Sequence, residues 1–329
     1  MSASVSSTAT GRKPRLLVLL GPTAVGKTAL SLLLARQFNC EIISGDSMQV
    51  YRGMDIGTAK VLPEEQQRIP HHMIDIRNPD EPFSAADFQS MAKACIQDIH
   101  ERGKLPFVVG GTGLYIESLC FDYQFSEGAS DEAFREEQRL FALEHGPEAL
   151  LDKLRAVDPI TASRLHVNDQ RRIVRALEVY HLSGISMSEH QHRQKKDSPY
   201  EYCMVGLTMD RDLLYKRIEA RVDIMLQDGL VEEVQGLLDQ GYSRDLVSMQ
   251  GLGYKEIAAA LTGEMPMDTA VSLLKQGTRR FAKRQLSWFR HMKEIEWVDV
   301  TEHANLLAHL NTISGIITRK FPNDESNRG

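Results

Sequence analysis

Residues 21–28 read GPTAVGKT, and their setting restricts the fold more than any other stretch of the chain. The apolar run Arg15-Leu-Leu-Val-Leu-Leu20 precedes them as a buried strand, and Ala29-Leu-Ser-Leu-Leu-Leu-Ala-Arg-Gln-Phe38 follows as a helix. A strand, a glycine-bearing loop and a helix in that order form an anion cradle. Successive N–H groups turn inward at a helix N-terminus whose dipole already favours negative charge. The cradle is predicted to comprise Gly21, Pro22, Thr23, Ala24, Val25, Gly26, Lys27 and Thr28. Lys27 supplies a mobile cation, and the Thr28 hydroxyl is the expected ligand for Mg²⁺ beside a phosphate. The loop alone does not specify which phosphate it holds or whether a phosphoryl group moves.

Further strand signals repeat the pattern. Cys40-Glu-Ile-Ile-Ser44 ends at Asp46, Ser47, Met48 and Gln49, and ligands of open parallel sheets gather at the carboxyl ends of strands. Asp46 is therefore a candidate base or metal ligand, with capping of the following turn as the alternative. Met73-Ile-Asp-Ile76 reads as another strand. The preceding His71 and His72 point to opposite faces and are poorly placed to share a metal. Ser84 and Asp87 form a capping box for a helix running to about His100. Leu105-Pro-Phe-Val-Val109 leads into a second glycine-rich turn, residues 110–113, which brings Thr112 to the same crevice. Alternating strands and helices predict an α/β fold: a phosphate-loop NTPase-like core, its parallel sheet flanked by helices.

From about residue 121 the strand signals stop and helical periodicity takes over, carried by Phe134, Leu140, Leu143, Leu150, Leu151 and Leu154. The expected organisation is a loose tail over 1–14, a core formed by 15–120 and 200–315, a helical insertion over 121–199, and a C-terminal tail over 316–329. The insertion's later half is basic, with Arg164, Arg171, Arg172, Arg175, Arg193, Lys195 and Lys196. Strand character returns at residues 201–209, and Arg217 and Arg221 then lie one helical turn apart. No acid occurs between Ala270 and Lys293. There Leu274, Phe281 and Trp288 form an apolar stripe, with Lys275, Arg279, Lys283 and Arg290 opposite. Net charge is −6, so such an acid-free cationic face points to a polyanionic partner. Glu294 to Val300 reads as the last strand. The four cysteines have no ligand spacing and fit reduced thiols of a cytoplasmic protein, and no apolar run is long enough for a membrane span.

The residues alone leave three classes open: a phosphate-loop kinase or NTPase working with nucleic acid, a group transferase whose loop holds a diphosphate leaving group, and a nucleotide-gated RNA-binding switch. The motifs GPTAVGKT, DSMQVYR from Asp46, DIGTAK from Asp55, HHMID from His71, GGTGLY from Gly110, Asn168 through Arg172, RALEVY from Arg175, the pair Arg217/Arg221, Gly253-Tyr254 and KRQ from Lys283 resemble, in order, those of the bacterial tRNA dimethylallyltransferases. That family is also called the tRNA isopentenyltransferases. The resemblance implies transfer of a dimethylallyl group from dimethylallyl diphosphate to N6 of the adenosine immediately 3′ of the anticodon, with diphosphate released and Mg²⁺ as cofactor. It implies Asp46 as base, with Thr23 and Arg221 at the reacting centre, in a monomer. The tRNA contacts it implies are Asp46, Ser47, Met48, Gln49, Thr112, Arg171, Arg172, Arg175, Gln250, Gly251, Leu252, Gly253, Tyr254, Lys255, Arg279, Arg280, Lys283, Arg284 and Gln285. A kinase and an adenylate isopentenyltransferase acting on a free nucleotide are the alternatives. A mononucleotide acceptor needs neither the insertion nor the basic surfaces.

Overall fold

A computed structural model describes residues 12–125, 131–194, 197–302 and 305–322. The first half of the core runs β1 (Arg15–Leu20), α1 (Lys27–Gln37), β2 (Cys40–Gly45), α2 (Pro63–Arg68), β3 (His71–His72), α3 (Ala85–Glu101), β4 (Leu105–Gly110) and α4 (Gly113–Cys120). After the helical segment come β5 (Glu201–Thr208), further helices and β6 (Glu296–Asp299), described below with the rest of the chain. The strands form one six-stranded sheet in the order β3-β2-β4-β1-β5-β6, and every pairing is parallel. β1 lies between β4 and β5, which explains its unbroken apolar run: Leu16, Leu17, Val18, Leu19 and Leu20 are all buried.

Two compact units divide the chain. One comprises residues 1–120 and 198–329, the other residues 121–197. The second unit consists of α5 (Glu132–His145), α6 (Pro147–Val157), α7 (Pro159–Ala162), α8 (Gln170–Ser183) and α9 (Met187–Arg193). Its core packs Leu150, Leu151, Leu154, Ile173 and Leu177 around Ala142, with Phe134 and Phe141 against them. Leu140 and Leu143, expected in that core, are exposed instead, because α5 turns Gln138 and Ala142 inward. Glu178 is fully buried and holds Arg135 at 2.8 Å and Arg175 at 2.6 Å. Lys195 and Lys196 lie outside the described residues.

In the first unit the chain continues through α10 (Arg211–Gln227), α11 (Leu230–Asp239), a 3₁₀ turn (Ser248–Gln250), α12 (Tyr254–Leu261), α13 (Met267–Phe289), β6 (Glu296–Asp299) and α14 (Leu306–Lys320). α14 corrects the expectation of a tail from residue 316. Ile313, Ile316 and Ile317 are buried with Leu30 and Leu34 of α1, and each such aliphatic side chain contributes about 1.5–3 kcal/mol by leaving water. The strand expected at residues 73–76 is also corrected. Pairing with β2 stops after His72, and Met73 and Asp75 take positive φ values of 66° and 55°, which end an extended run. The capping box at Ser84 forms, with its hydroxyl accepting the Asp87 N–H. All four cysteines are free. Among the described residues no helix is long and apolar enough to cross a membrane.

Candidate active site

The carboxyl ends of β1, β2 and β4 carry the loops that matter. Gly26 precedes α1 at φ 106°, a left-handed conformation natural to glycine, and lets the loop turn into the helix. Gly45 and Gly110 sit opposite each other in the β2–β4 register, and a Cβ on Gly110 would overlap the Gly45 backbone. That missing volume lets two loops approach. The Thr112 N–H donates to Gly45 O at 3.1 Å, and Thr112 Oγ1 accepts the Ser47 N–H at 3.0 Å. The glycine-rich turn is thus fastened to the loop bearing Asp46.

Two adjoining cavities share Thr23, Ala24, Asp46, Thr58, Ala59, Arg221 and Phe281 in their walls. One, of about 510 Å³, is walled by the phosphate loop with Lys27 and Thr28 and by Arg217 and Gln285. The other, of about 320 Å³, is walled by apolar side chains, Met48, Ile218, Val222, Met225, Leu252 and Leu274 among them. Asp46 stands where a group held by one meets a group held by the other. Its Oδ1 accepts the Met48 N–H at 2.9 Å, so it caps that turn while bordering both cavities.

The first cavity is short of negative charge. Burial pushes Lys27 down to about 7, Asp46 opposes that shift and Arg221 adds to it. Lys27 Nζ donates to the carbonyls of Gly21 and Pro22 at 2.9 and 2.8 Å. Burial also lowers Arg217 and Arg221, and the Nη1 of Arg217 is buried without a hydrogen-bond partner. Unsatisfied buried donors are uncommon, and three cations facing one carboxylate suit a multiply charged anion.

Several residues expected to touch RNA have other positions. Gln285 is 6% exposed. Its Oε1 accepts the Thr23 N–H at 2.9 Å and its Nε2 donates to Gly111 O at 2.9 Å. Tyr254 is fully buried, and its hydroxyl donates to Glu233 at 2.6 Å. Burial, and then the Glu233 carboxylate, raises the Tyr254 pKa. Gln49 accepts from the Ser44 hydroxyl and donates to Thr58 O. Arg279 pairs with Glu219, and Lys275 with Asp223 at 2.5 Å, so the cationic side of α13 is partly neutralised by α10. Trp288, assigned to the apolar stripe, is exposed and donates to Glu117 at 3.0 Å. Arg171, Arg172, Arg280, Lys283, Arg284, Gln250 and Lys255 are exposed.

Glu233 went unnoticed in the sequence. Its carboxylate accepts the N–H groups of Asp55, Ile56 and Gly57 at 2.8, 2.7 and 3.1 Å, which fixes the loop that brings Thr58 and Ala59 to both cavities. A glutamate on an amphipathic helix carries no sign of such a role. The only signal available was its partner, the glycine at 57, whose Cβ would lie 2.7 Å from the Tyr254 ring.

Residues 49–292 match the family described as IPP transferase. Proteins named tRNA dimethylallyltransferase from Bacillus cereus (strain AH187) and Bacillus anthracis are each 50% identical over 314 residues. The matches cover 95% of this chain and 99% and 100% of theirs. The solved full-length tRNA isopentenylpyrophosphate transferase of Bacillus halodurans is 46% identical with a TM-score of 0.69, over 94% of this chain and 98% of that one. A eukaryotic dimethylallyltransferase acting on tRNA, also solved, is 30% identical with a TM-score of 0.79, over 94% and 79%. Neither a kinase nor an enzyme of free nucleotides is favoured by these matches. With a cation-rich cradle opening onto an apolar chamber, and relatives matched along nearly their whole length, the chain belongs to the tRNA dimethylallyltransferase family.

Proposed function

We propose that this chain transfers a dimethylallyl group from dimethylallyl diphosphate to N6 of the adenosine immediately 3′ of the anticodon in tRNA, releasing diphosphate. The observation that carries the reading is the meeting of a cationic and an apolar cavity at Thr23, Asp46 and Arg221. The diphosphate lies in the first. As the allylic C–O bond breaks, negative charge grows on the departing oxygens, where Lys27, Arg217 and Arg221 are already held. The dimethylallyl chain and the adenine share the apolar side. The amine of adenine is a weak nucleophile, and Asp46 accepts its proton as the new C–N bond forms. Thr23 borders both cavities and is assigned to the reacting centre.

Mg²⁺ fits the donor set. Thr28 and Asp46 offer hard oxygens to one small cavity, and such an ion takes few protein ligands beside substrate phosphates. Thr28 would hold it, and bound there it would further neutralise the leaving group. The target base is stacked in an anticodon loop and must be extruded to reach Asp46. Arg171 and Arg172 of the second unit and Arg280, Lys283 and Arg284 of α13 are exposed cations suited to RNA phosphates. A tRNA substrate supports a cytoplasmic site of action.

The test incubates the protein with unmodified tRNA and dimethylallyl diphosphate, then digests the RNA to nucleosides for mass analysis. Isopentenyl-adenosine at that one position is expected. Unaltered adenosine, or product carrying label from γ-labelled ATP, would overturn the reading.

A further inference from the structure

The amide of Gln285 occupies a place that calls for an acceptor at one end and a donor at the other. One end accepts the Thr23 N–H at 2.9 Å and the other donates to Gly111 O at 2.9 Å. The surroundings are built to that shape, since a Cβ on Gly111 would overlap the amide nitrogen. Beyond Gly111 the connection continues. Thr112 accepts the Ser47 N–H and donates its own N–H to Gly45, the residues on either side of Asp46. The Thr23 amide and the backbone flanking Asp46 are therefore linked through one side chain of α13 and the Gly111–Thr112 peptide.

We propose that Gln285 is a positioning residue, setting the separation of Thr23 and Asp46 and linking α13 to the phosphate loop. The proposal rests on the reaction assigned above. It assigns Gln285 no contact with tRNA: the side chain is buried, while its neighbours Lys283 and Arg284 are exposed. Phe281, one turn earlier, lines both cavities, so a shift of α13 reaches the reacting groups by two routes. A methionine at 285 keeps the volume and makes neither bond. A glutamate accepts from Thr23 but donates to Gly111 only when protonated.

The test compares wild type with Gln285→Met and Gln285→Glu, measuring kcat, KM for dimethylallyl diphosphate, and tRNA affinity. Thermal unfolding serves as a check on folding. Gln285→Met is expected to lower kcat roughly 10- to 100-fold with tRNA affinity within about twofold, the scale at which small misplacement of reacting groups acts. Gln285→Glu is expected to be equally slow at pH 8 and to regain at least about threefold relative to wild type as the pH falls to 6, because the protonated carboxyl restores the bond to Gly111. If Gln285→Met fails to fold, the pH-dependent recovery of Gln285→Glu still decides. The proposal is overturned if Gln285→Met keeps more than half of the wild-type kcat, if tRNA affinity falls tenfold with kcat intact, or if Gln285→Glu shows no recovery. A wild-type protein that makes no isopentenyl-adenosine defeats the assigned reaction instead, which separates the two failures.

Discussion

Arg217 and Arg221 of α10 face cavities in whose walls Asp46 is the one carboxylate, whereas Lys275 and Arg279 of α13 each face an acid of α10. In the sequence both pairs are cations four residues apart on a helix. The fold treats them oppositely, leaving the first pair short of counter-charge under burial and neutralising the second near the surface. Internal neutralisation is what separates a cation that holds two helices together from one awaiting an outside anion. An exposed ion pair contributes little either way, whereas an uncompensated buried cation costs stability until its ligand arrives.

The strongest challenge to that contrast is at its one carboxylate. Asp46→Asn keeps the shape and removes the acceptor for the amine proton, so transfer should fall roughly 10²- to 10⁴-fold while tRNA affinity changes little. Normal tRNA turnover by the variant in single-turnover kinetics would sink the base assignment. Next comes Arg221→Ala, expected to lower transfer on the order of 10²- to 10³-fold and to raise KM for dimethylallyl diphosphate. The matching change Arg279→Ala should leave that KM unaltered, and equal losses from the two would erase the distinction drawn here.

A smaller effect lies in pH. Lys27 falls to about 7 because burial and Arg221 both disfavour its charge, and a bound anion reverses that. Free protein has therefore lost the proton above that pH while the complex retains it, so binding takes up a proton and weakens with rising pH, by up to about tenfold per unit. Calorimetry of diphosphate binding at pH 8 in buffers of different ionisation enthalpy should register this uptake, and Lys27→Met should abolish it. The finest distinction is in salt dependence. Lys283→Ala or Arg284→Ala should reduce the slope of log affinity for tRNA against log salt by about 0.7–0.9 each, and Lys275→Ala by less than half as much. Identical slopes would mean that the pairing with Asp223 does not persist in solution.

The phosphate loop, β1, β2, β4 and β5 were all legible, because a buried parallel strand followed by glycine and a helix leaves few readings. The two-unit division was visible too, from the loss of strand signals near residue 121. The partners of charged side chains were not. Nothing in the run from Ala270 to Lys293 discloses that Asp223 and Glu219 come to meet it, since that depends on how α10 packs on α13. Gln285 and Tyr254, tRNA contacts by resemblance alone, are buried for a reason the sequence likewise does not disclose. Their polar atoms are satisfied by groups more than 20 residues away in sequence, so only the fold distinguishes a buried clamp from a surface donor. The tail assigned from residue 316 cut across a pattern already in the sequence: Leu306, Leu310, Ile313 and Ile317 recur at helical spacing, and that stripe packs on α1.

β1 is hydrogen-bonded on one side to β4 and on the other to β5, whose residues follow the whole helical unit. During synthesis the loop at residues 21–28 leaves the ribosome well before β5, so one flank of its strand stays bare until residue 208 has followed. Its Thr23 amide then waits for residue 285. A nascent chain therefore carries an unfinished ligand cradle until α13 has emerged, and cutting the gene short anywhere before α13 would leave the signature sequence intact without its fastening.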